Sequence, residues 1–253
     1  MNEDAEKENA GDRNHQGWNL KALRDNVERL HGGDQANLTS KCCQSIVKRL
    51  GYMKYHYQEA DRLVNSSLKE ASSNDVLMKF ILPNSDLESE QFDERRFHAE
   101  AHLIALMQSG HAILDTLGHV IYFAMKFDDL KPSQVAFHSV HPLLPAGPLK
   151  DLCLKLLDDP ELKHLAALVN VSKHRSVVEP SISVSFVEDE LPHGLKFQGF
   201  DYKGSWYPVR WAVPFAIKVF DRLQHHVFGI GRSLEDHLAL NAAPTSRFHL
   251  HYP

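Results

Sequence analysis

Apolar positions along most of the chain recur every three or four residues, the period of a helix packed on one side. The longest such run spans about Leu87 to Phe127. There Leu103, Leu106, Met107, Gly110, Ile113, Leu114, Leu117, Val120, Ile121 and Ala124 share one broad stripe, which predicts a central helix with one buried side. Trp18, Leu20, Leu23, Val27 and Leu30 repeat the pattern and stop at His31-Gly-Gly33, a glycine terminus. Thr39 or Ser40 reads as the N-cap of a longer helix from Cys43 to about Ala71. Its inward residues are Ile46, Val47, Leu50, Met53, Tyr57, Val64 and Leu68, and Gly51 marks a close contact. Val76 to Leu82, ended by Pro83, is uniformly apolar and too short to assign to helix or strand.

Pro132 to Pro148 is proline-rich and irregular, and a short helix from Leu149 to Leu157 comes after it. Asp159-Pro160 then supplies a cap residue and a first-turn proline for the helix that carries Asn170 and His174. Past Arg175 the period falls to two. Ser181 to Phe186, Leu195 to Tyr202 and Ser205 to Trp211, with Lys203-Gly204 as a turn, predict a small antiparallel meander against the helices. After Trp211 the helical period returns, with Val213, Ile217, Phe220, Leu223 or Gln224, and Val227 on one stripe and Gly229 and Gly231 as its end. The predicted class is mainly α, a helical bundle with a small antiparallel β-meander inserted before the last long helix.

With 253 residues, 43% of them hydrophobic, the chain has material for one sizeable core. The expected organisation is a disordered arm over 1–16, a single helical domain over 17–240 with the β insertion at 177–211, and a flexible tail over 241–253. The arm is polar and lacks the apolar run of a signal peptide, and no stretch is apolar enough to span a bilayer, so no membrane partner is expected. A net charge of −5 gives no general attraction to nucleic acid, and duplex DNA is not an expected partner. Cys42, Cys43 and Cys153 are odd in number and lack metal-ligand spacing, which suits packing residues in a reducing, cytoplasmic setting.

Candidate chemistry concentrates at Asn170-Val-Ser-Lys-His-Arg175. Asn170 and His174 stand one helical turn apart, so an amide and an imidazole share a face, with Lys173 and Arg175 beside them. The imidazole can move a proton while the amide and cations hold a phosphate. The same residues also make an ordinary basic helix end, because cations favour the negative end of the helix dipole. A second polar stripe, His111, Asp115, His119 and Tyr122 with Glu100 further up, lies on the predicted central helix. Its spacing is compatible with a metal on one helix face, but hydrogen bonds between neighbours or solvent exposure are the commoner outcome, and no metal or cofactor is expected. His225-His226 and His249-Leu-His251 lack the count and spacing of a dedicated site and read as incidental. A Gly-rich phosphate loop, a nucleophile elbow, His-Glu-x-x-His and Cys-x-x-Cys are all absent, which removes several common enzyme classes.

Ala112-Ile-Leu-Asp-Thr-Leu-Gly118 on a long helix, with Asn170-x-x-Lys-His-Arg175 later at a helix end, resembles HEPN-like helical proteins of bacteria over roughly Phe97 to Val178. The resemblance implies a helical bundle paired as a homodimer and, in active members, metal-independent RNA cleavage by an Arg, a polar residue, three variable positions and a His. Asn170 matches the polar residue and His174 the histidine, while Val169 occupies the arginine position. Two functions fit these residues. One is an RNA-binding or ribonuclease-type protein, in a toxin or defence setting, with His174 as acid and base, Asn170 orienting, and Lys173 or Arg175 on phosphate. The other is a non-catalytic dimerisation or interaction protein in which Asp115 or Glu100 pairs with the basic cluster.

Overall fold

The computed structural model describes residues 17–68, 87–184 and 193–242. Within them the chain forms α1 (Leu20–His31), α2 (Gly33–Leu68), α3 (Leu87–Ala124), α4 (Phe137–Val140), α5 (Pro148–Asp158), α6 (Pro160–His174) and α7 (Ala212–Ala242). Five short strands precede α7: β1 (Pro180–Val184), β2 (His193–Phe197), β3 (Phe200–Tyr202), β4 (Ser205–Tyr207) and β5 (Arg210–Trp211). This is the mainly α bundle with an antiparallel insertion that the periodicity predicts. The arm over 1–16, the apolar run Val76–Leu82, Phe186 and the tail beyond Ala242 lie outside the described residues.

Among the described residues the α2–α3 hairpin is the most extensive helix-to-helix packing surface. The predicted α3 stripe is its buried side: Leu103, Leu106, Met107, Ile113, Leu117, Val120, Ile121 and Ala124 are all essentially solvent-free. Gly110 sits where four helices meet. A Cβ there would stand 3.1 Å from Leu223 of α7, 3.2 Å from Met53 of α2 and 3.4 Å from Leu165 of α6, so the missing side chain lets the helices close. Gly118, near the end of that stripe, lies against the backbone of α4, where a Cβ would fall 2.6 Å from Phe137 N. α3 ends with Lys126 at a φ of 53°. Phe127 N donates to the Tyr122 carbonyl and Lys126 N to that of Phe123, a Schellman closure with lysine in the place glycine usually takes. Tyr122, expected on a polar stripe, is instead a buried residue whose hydroxyl donates to the Leu130 carbonyl and accepts from Leu130 N.

Several boundaries and faces differ from expectation. α2 begins at Gly33, directly after α1 stops at Gly32 with a φ of 92°. Thr39 is therefore not an N-cap. It is a buried mid-helix residue whose hydroxyl donates to the Gln35 carbonyl. Val47, expected inward, is 55% exposed, and nothing approaches Gly51. The predicted stripe of α7 holds in its second half, where Leu223 and Val227 are buried, and is out of phase in its first: Ala212, Phe215, Ala216 and Val219 are buried, whereas Ile217 is exposed. Nor do Gly229 and Gly231 end that helix. A residue at 231 with a Cβ would run into the Trp18 indole, so this glycine marks the crossing of the N-terminal segment over α7 rather than a terminus.

The insertion is two sheets rather than one meander. β1, β2 and β5 make an antiparallel three-stranded sheet in the order β1-β2-β5, and β3–β4 is a separate hairpin. In the first sheet Ile182 faces Leu195 and Pro180 faces Phe197, and Ile182 and Leu195 close over Leu63, Phe92 and Ala99 of the α2–α3 hairpin. Lys196 lies over the Trp211 ring, 3.8 Å from its centroid, across the β2–β5 pair. In the hairpin Lys203 and Gly204 both have positive φ, 50° and 77°, as a type I′ turn requires.

α6 is anchored at its start by Asp159. Oδ1 accepts from Glu161 N and Leu162 N, the predicted cap, and Oδ2 accepts from Arg222 Nε at 2.6 Å and from His226 Nε2 at 3.0 Å, both on α7. Burial raises the carboxyl pKa, but the bonds from His226 and Arg222 outweigh it and the net shift is downward. Burial likewise holds His226 below the ordinary imidazole range despite the carboxylate, so a neutral ring donates from Nε2. Asp159→Ala removes the cap and strands the buried His226 together. The expected loss is about 3 kcal/mol, at the low end for a broken buried pair because Arg222 is half exposed. Urea denaturation at neutral pH measures it, and a loss under about 1 kcal/mol would show that the contact between α6 and α7 stands without this node.

Candidate functional site

The segment from Asn170 to Arg175 is the last turn of α6 and the exit toward β1. Val169, at the position of the HEPN-like arginine, is 1% exposed and belongs to the core. Asn170 shares a helix face with His174 as the spacing predicts, but its amide Nδ2 donates to the Ala166 carbonyl of its own helix at 2.8 Å. Lys173, His174 and Arg175 are all exposed. Arg175 closes the helix, with its backbone N–H bonded to the Val171 carbonyl, and its guanidinium reaches the Asp201 carbonyl of β3 at 3.3 Å. Ser172 Oγ accepts from Val178 N and holds the next turn of the chain.

The second predicted stripe meets this segment at one place. His111 is largely buried on α3, its Nδ1 has no hydrogen-bond partner among the described residues, and the Asp115 carboxylate lies 4.0 Å away. Burial lowers the His111 pKa, Asp115 opposes that shift, and Lys173 of α6 reinforces it. Asp115 and Lys173 thus act in opposite directions on one buried imidazole, and the net downward shift makes it a weaker proton acceptor than a free ring. His174 is not part of it. His119 turns its Nδ1 to the Asp115 carbonyl at 3.0 Å. Glu100 stands about 16 Å from His111 along the helix at 1.5 Å per residue. Its carboxylate accepts from Arg96 of its own helix at 2.7 Å, not from the basic cluster, and its pKa is raised by burial against the pull of Arg96. The expected pairing of Glu100 with Lys173 or Arg175 is thus replaced by an ion pair one turn away on α3.

Three features escape local spacing. His226, expected to be incidental, is buried on Asp159. His56 of α2 and His102 of α3 face each other with Nδ1 atoms 2.9 Å apart, beside the Tyr55 ring, and burial, then His102, lowers the His56 pKa. His164 of α6 is buried among the rings of Phe200, Tyr207 and Phe215, with an unpartnered Nε2. Glu161, one turn before it, lies 3.8 Å from Arg210 Nη2. This pocket is closed by the β3–β4 hairpin, so the insertion serves as the roof of α6. Cys43 and Cys153 are buried with thiol pKa values pushed up to about 12 by burial, which makes them poor nucleophiles. Among the described residues no group of three His, Cys, Asp or Glu side chains is placed to hold a metal ion, and no helix is long and apolar enough to cross a membrane.

Burial and then the nearby Arg210 lower the His164 pKa to about 4 from an ordinary 6.5. The unfolded chain therefore takes up this proton first as pH falls. Stability is complete above pH 6.5 and declines by up to about 3 kcal/mol between there and pH 4. His164→Phe is expected to flatten that decline, measured as the urea midpoint against pH. His56, His111 and His226 are shifted in the same direction and leave a residual slope. An unchanged profile in the variant would exclude His164 as its main source. Compared with protein-family models, with curated proteins and with solved structures, the chain matches none.

Proposed function

We propose that the chain is a non-catalytic helical interaction protein that acts as a pair of copies. The observation that carries this reading is Val169, an apolar core residue at the position where the HEPN-like motif needs a cation for phosphate. The neighbouring polar groups support it. Asn170, Ser172 and Arg175 use their side chains to finish α6 and attach it to the insertion. Lys173 and Arg175 also stand at the negative end of the helix, where outward carbonyls repel an anion and the two cations offset them.

The outward face of α2 supports pairing. Val47, Gly51 and Tyr55 succeed one another at intervals of one turn with Tyr52 beside them, and Val47, Tyr52 and Tyr55 are each more than half exposed. Gly51, with open space around its Cα, lets a second helix approach closely. A two-fold axis across this face would bury the same apolar residues of both copies.

Purified protein incubated with structured and single-stranded RNAs is expected to leave them intact, and His174→Ala to behave identically. RNA cleavage that disappears in His174→Ala would overturn the non-catalytic reading. Light scattering is expected to give a dimer mass for the natural chain and a monomer mass for Tyr52→Glu/Tyr55→Glu with unchanged circular dichroism. A natural chain that is monomeric at tens of micromolar, where standard-sized interfaces are normally occupied, would overturn the pairing.

A further inference from the structure

α1 and α2 diverge from their junction at Gly32 and leave an open groove of about 550 Å³ between them. That volume lies in the range of small-molecule sites. Lys21 and Arg24, one turn apart on α1, form one wall, and Lys41 stands on the α2 wall. The neutral donors Asn37, Ser40 and Gln44 complete the rim, and no carboxylate lines the groove. The floor is Leu23, Thr39 and Cys43, all buried. In a chain with a net charge of −5 this is a local reversal of sign.

These rim groups are uncommitted. Among the described residues the side chains of Lys21, Asn37, Ser40, Lys41 and Gln44 have no hydrogen-bond or ion-pair partner, and Arg24 only approaches Glu28 at 3.9 Å, both half exposed. Several arginines elsewhere are engaged, among them Arg62 with Glu59 at 2.8 Å, Arg96 with Glu100 at 2.7 Å and Arg222 with Asp159 at 2.6 Å. Cations on both walls can grip one ligand from two sides, and the guanidinium of Arg24 suits two oxygens of one phosphoryl group. The acidic character of the whole chain opposes a long polyanion but leaves a short one unhindered.

We propose that this groove binds a small ligand carrying a pyrophosphate-like group, held by Lys21 and Arg24 from one wall and Lys41 from the other. The site is separate from α6, and on α2 it adjoins the pairing face, Gln44 standing one turn before Val47. Cys43 on its floor, with its thiol held protonated by burial, gives the ligand an apolar contact and no nucleophile.

Titration of the full chain with inorganic pyrophosphate in low salt, monitored by calorimetry and by melting temperature, tests it. Binding is expected to stabilise the fold and to weaken steeply as salt is raised. Lys21→Gln/Lys41→Gln is expected to weaken it at least tenfold, Lys21→Arg/Lys41→Arg to retain it, and Lys173→Gln/Arg175→Gln to leave it unchanged. All replaced side chains are exposed, and unchanged circular dichroism verifies the fold of each variant. No binding of pyrophosphate, or an equal loss in the 173/175 variant, would overturn the proposal. So would binding of a ten-nucleotide RNA by a chain that ignores pyrophosphate, which would mark a nucleic-acid surface instead.

Discussion

A single buried carboxylate fixes how the two halves of the chain meet. Asp159 caps α6 with one oxygen and holds α7 through Arg222 and His226 with the other, so the start of one helix and the middle of another, more than sixty residues apart, share one ionised group. In a low-dielectric interior a carboxylate is tolerated only when its lone pairs are all used, and four donors use them here. The placement of α6 depends on this node. The helix leaves Asp159 with Leu165 directed at the Gly110 crossing and His164 directed at the insertion, and the Lys173 charge at its far end is felt at His111. The three-stranded sheet then covers the open end of the α2–α3 hairpin, while the β3–β4 hairpin closes over His164.

The parts of the fold legible in the sequence are those governed by short-range rules. The α3 stripe, the Asp159-Pro160 start and the Lys203-Gly204 turn each depend on a few neighbouring residues, and each stands in the fold as expected. Where two physical causes produce the same residue, expectation and structure part. Glycine ends helices through positive φ but also permits close crossings, and Gly231 is the second kind, set against Trp18. Thr39 looks like a cap, yet within a helix its hydroxyl bonds back to Gln35. In α7 apolar residues occupy several faces, so their spacing does not fix the phase: Ile217 and Phe220 lie outside the fully buried set, which includes Phe215 and Val219 instead. Val47 on α2 departs from expectation for the same reason.

The candidate site shows the sharper limit. Asn170 and His174 do share a face, but whether they act depends on what surrounds them, and spacing carries no information about that. The local bonds from Asn170 to Ala166 and from Arg175 to Asp201 turn a motif into a helix ending. Conversely, the groups most altered by their surroundings, His164, His226 and the His56–His102 pair, have partners 36 to 67 residues distant or rings from several elements around them. Val169 alone carries a warning in the sequence, since it closes the apolar run Leu165-Ala-Ala-Leu-Val169, which points to burial.

The contact between His56 and His102 ties the two rings to each other. A nitrogen pair 2.9 Å apart holds one hydrogen between the rings, so when one Nδ1 is the donor the other must be bare. When both imidazoles are neutral they therefore take opposite tautomers, and neither can change without the other. Either ring can own the shared hydrogen, and the choice fixes at once which of the two Nε2 atoms, facing away from the pair, is donor and which acceptor.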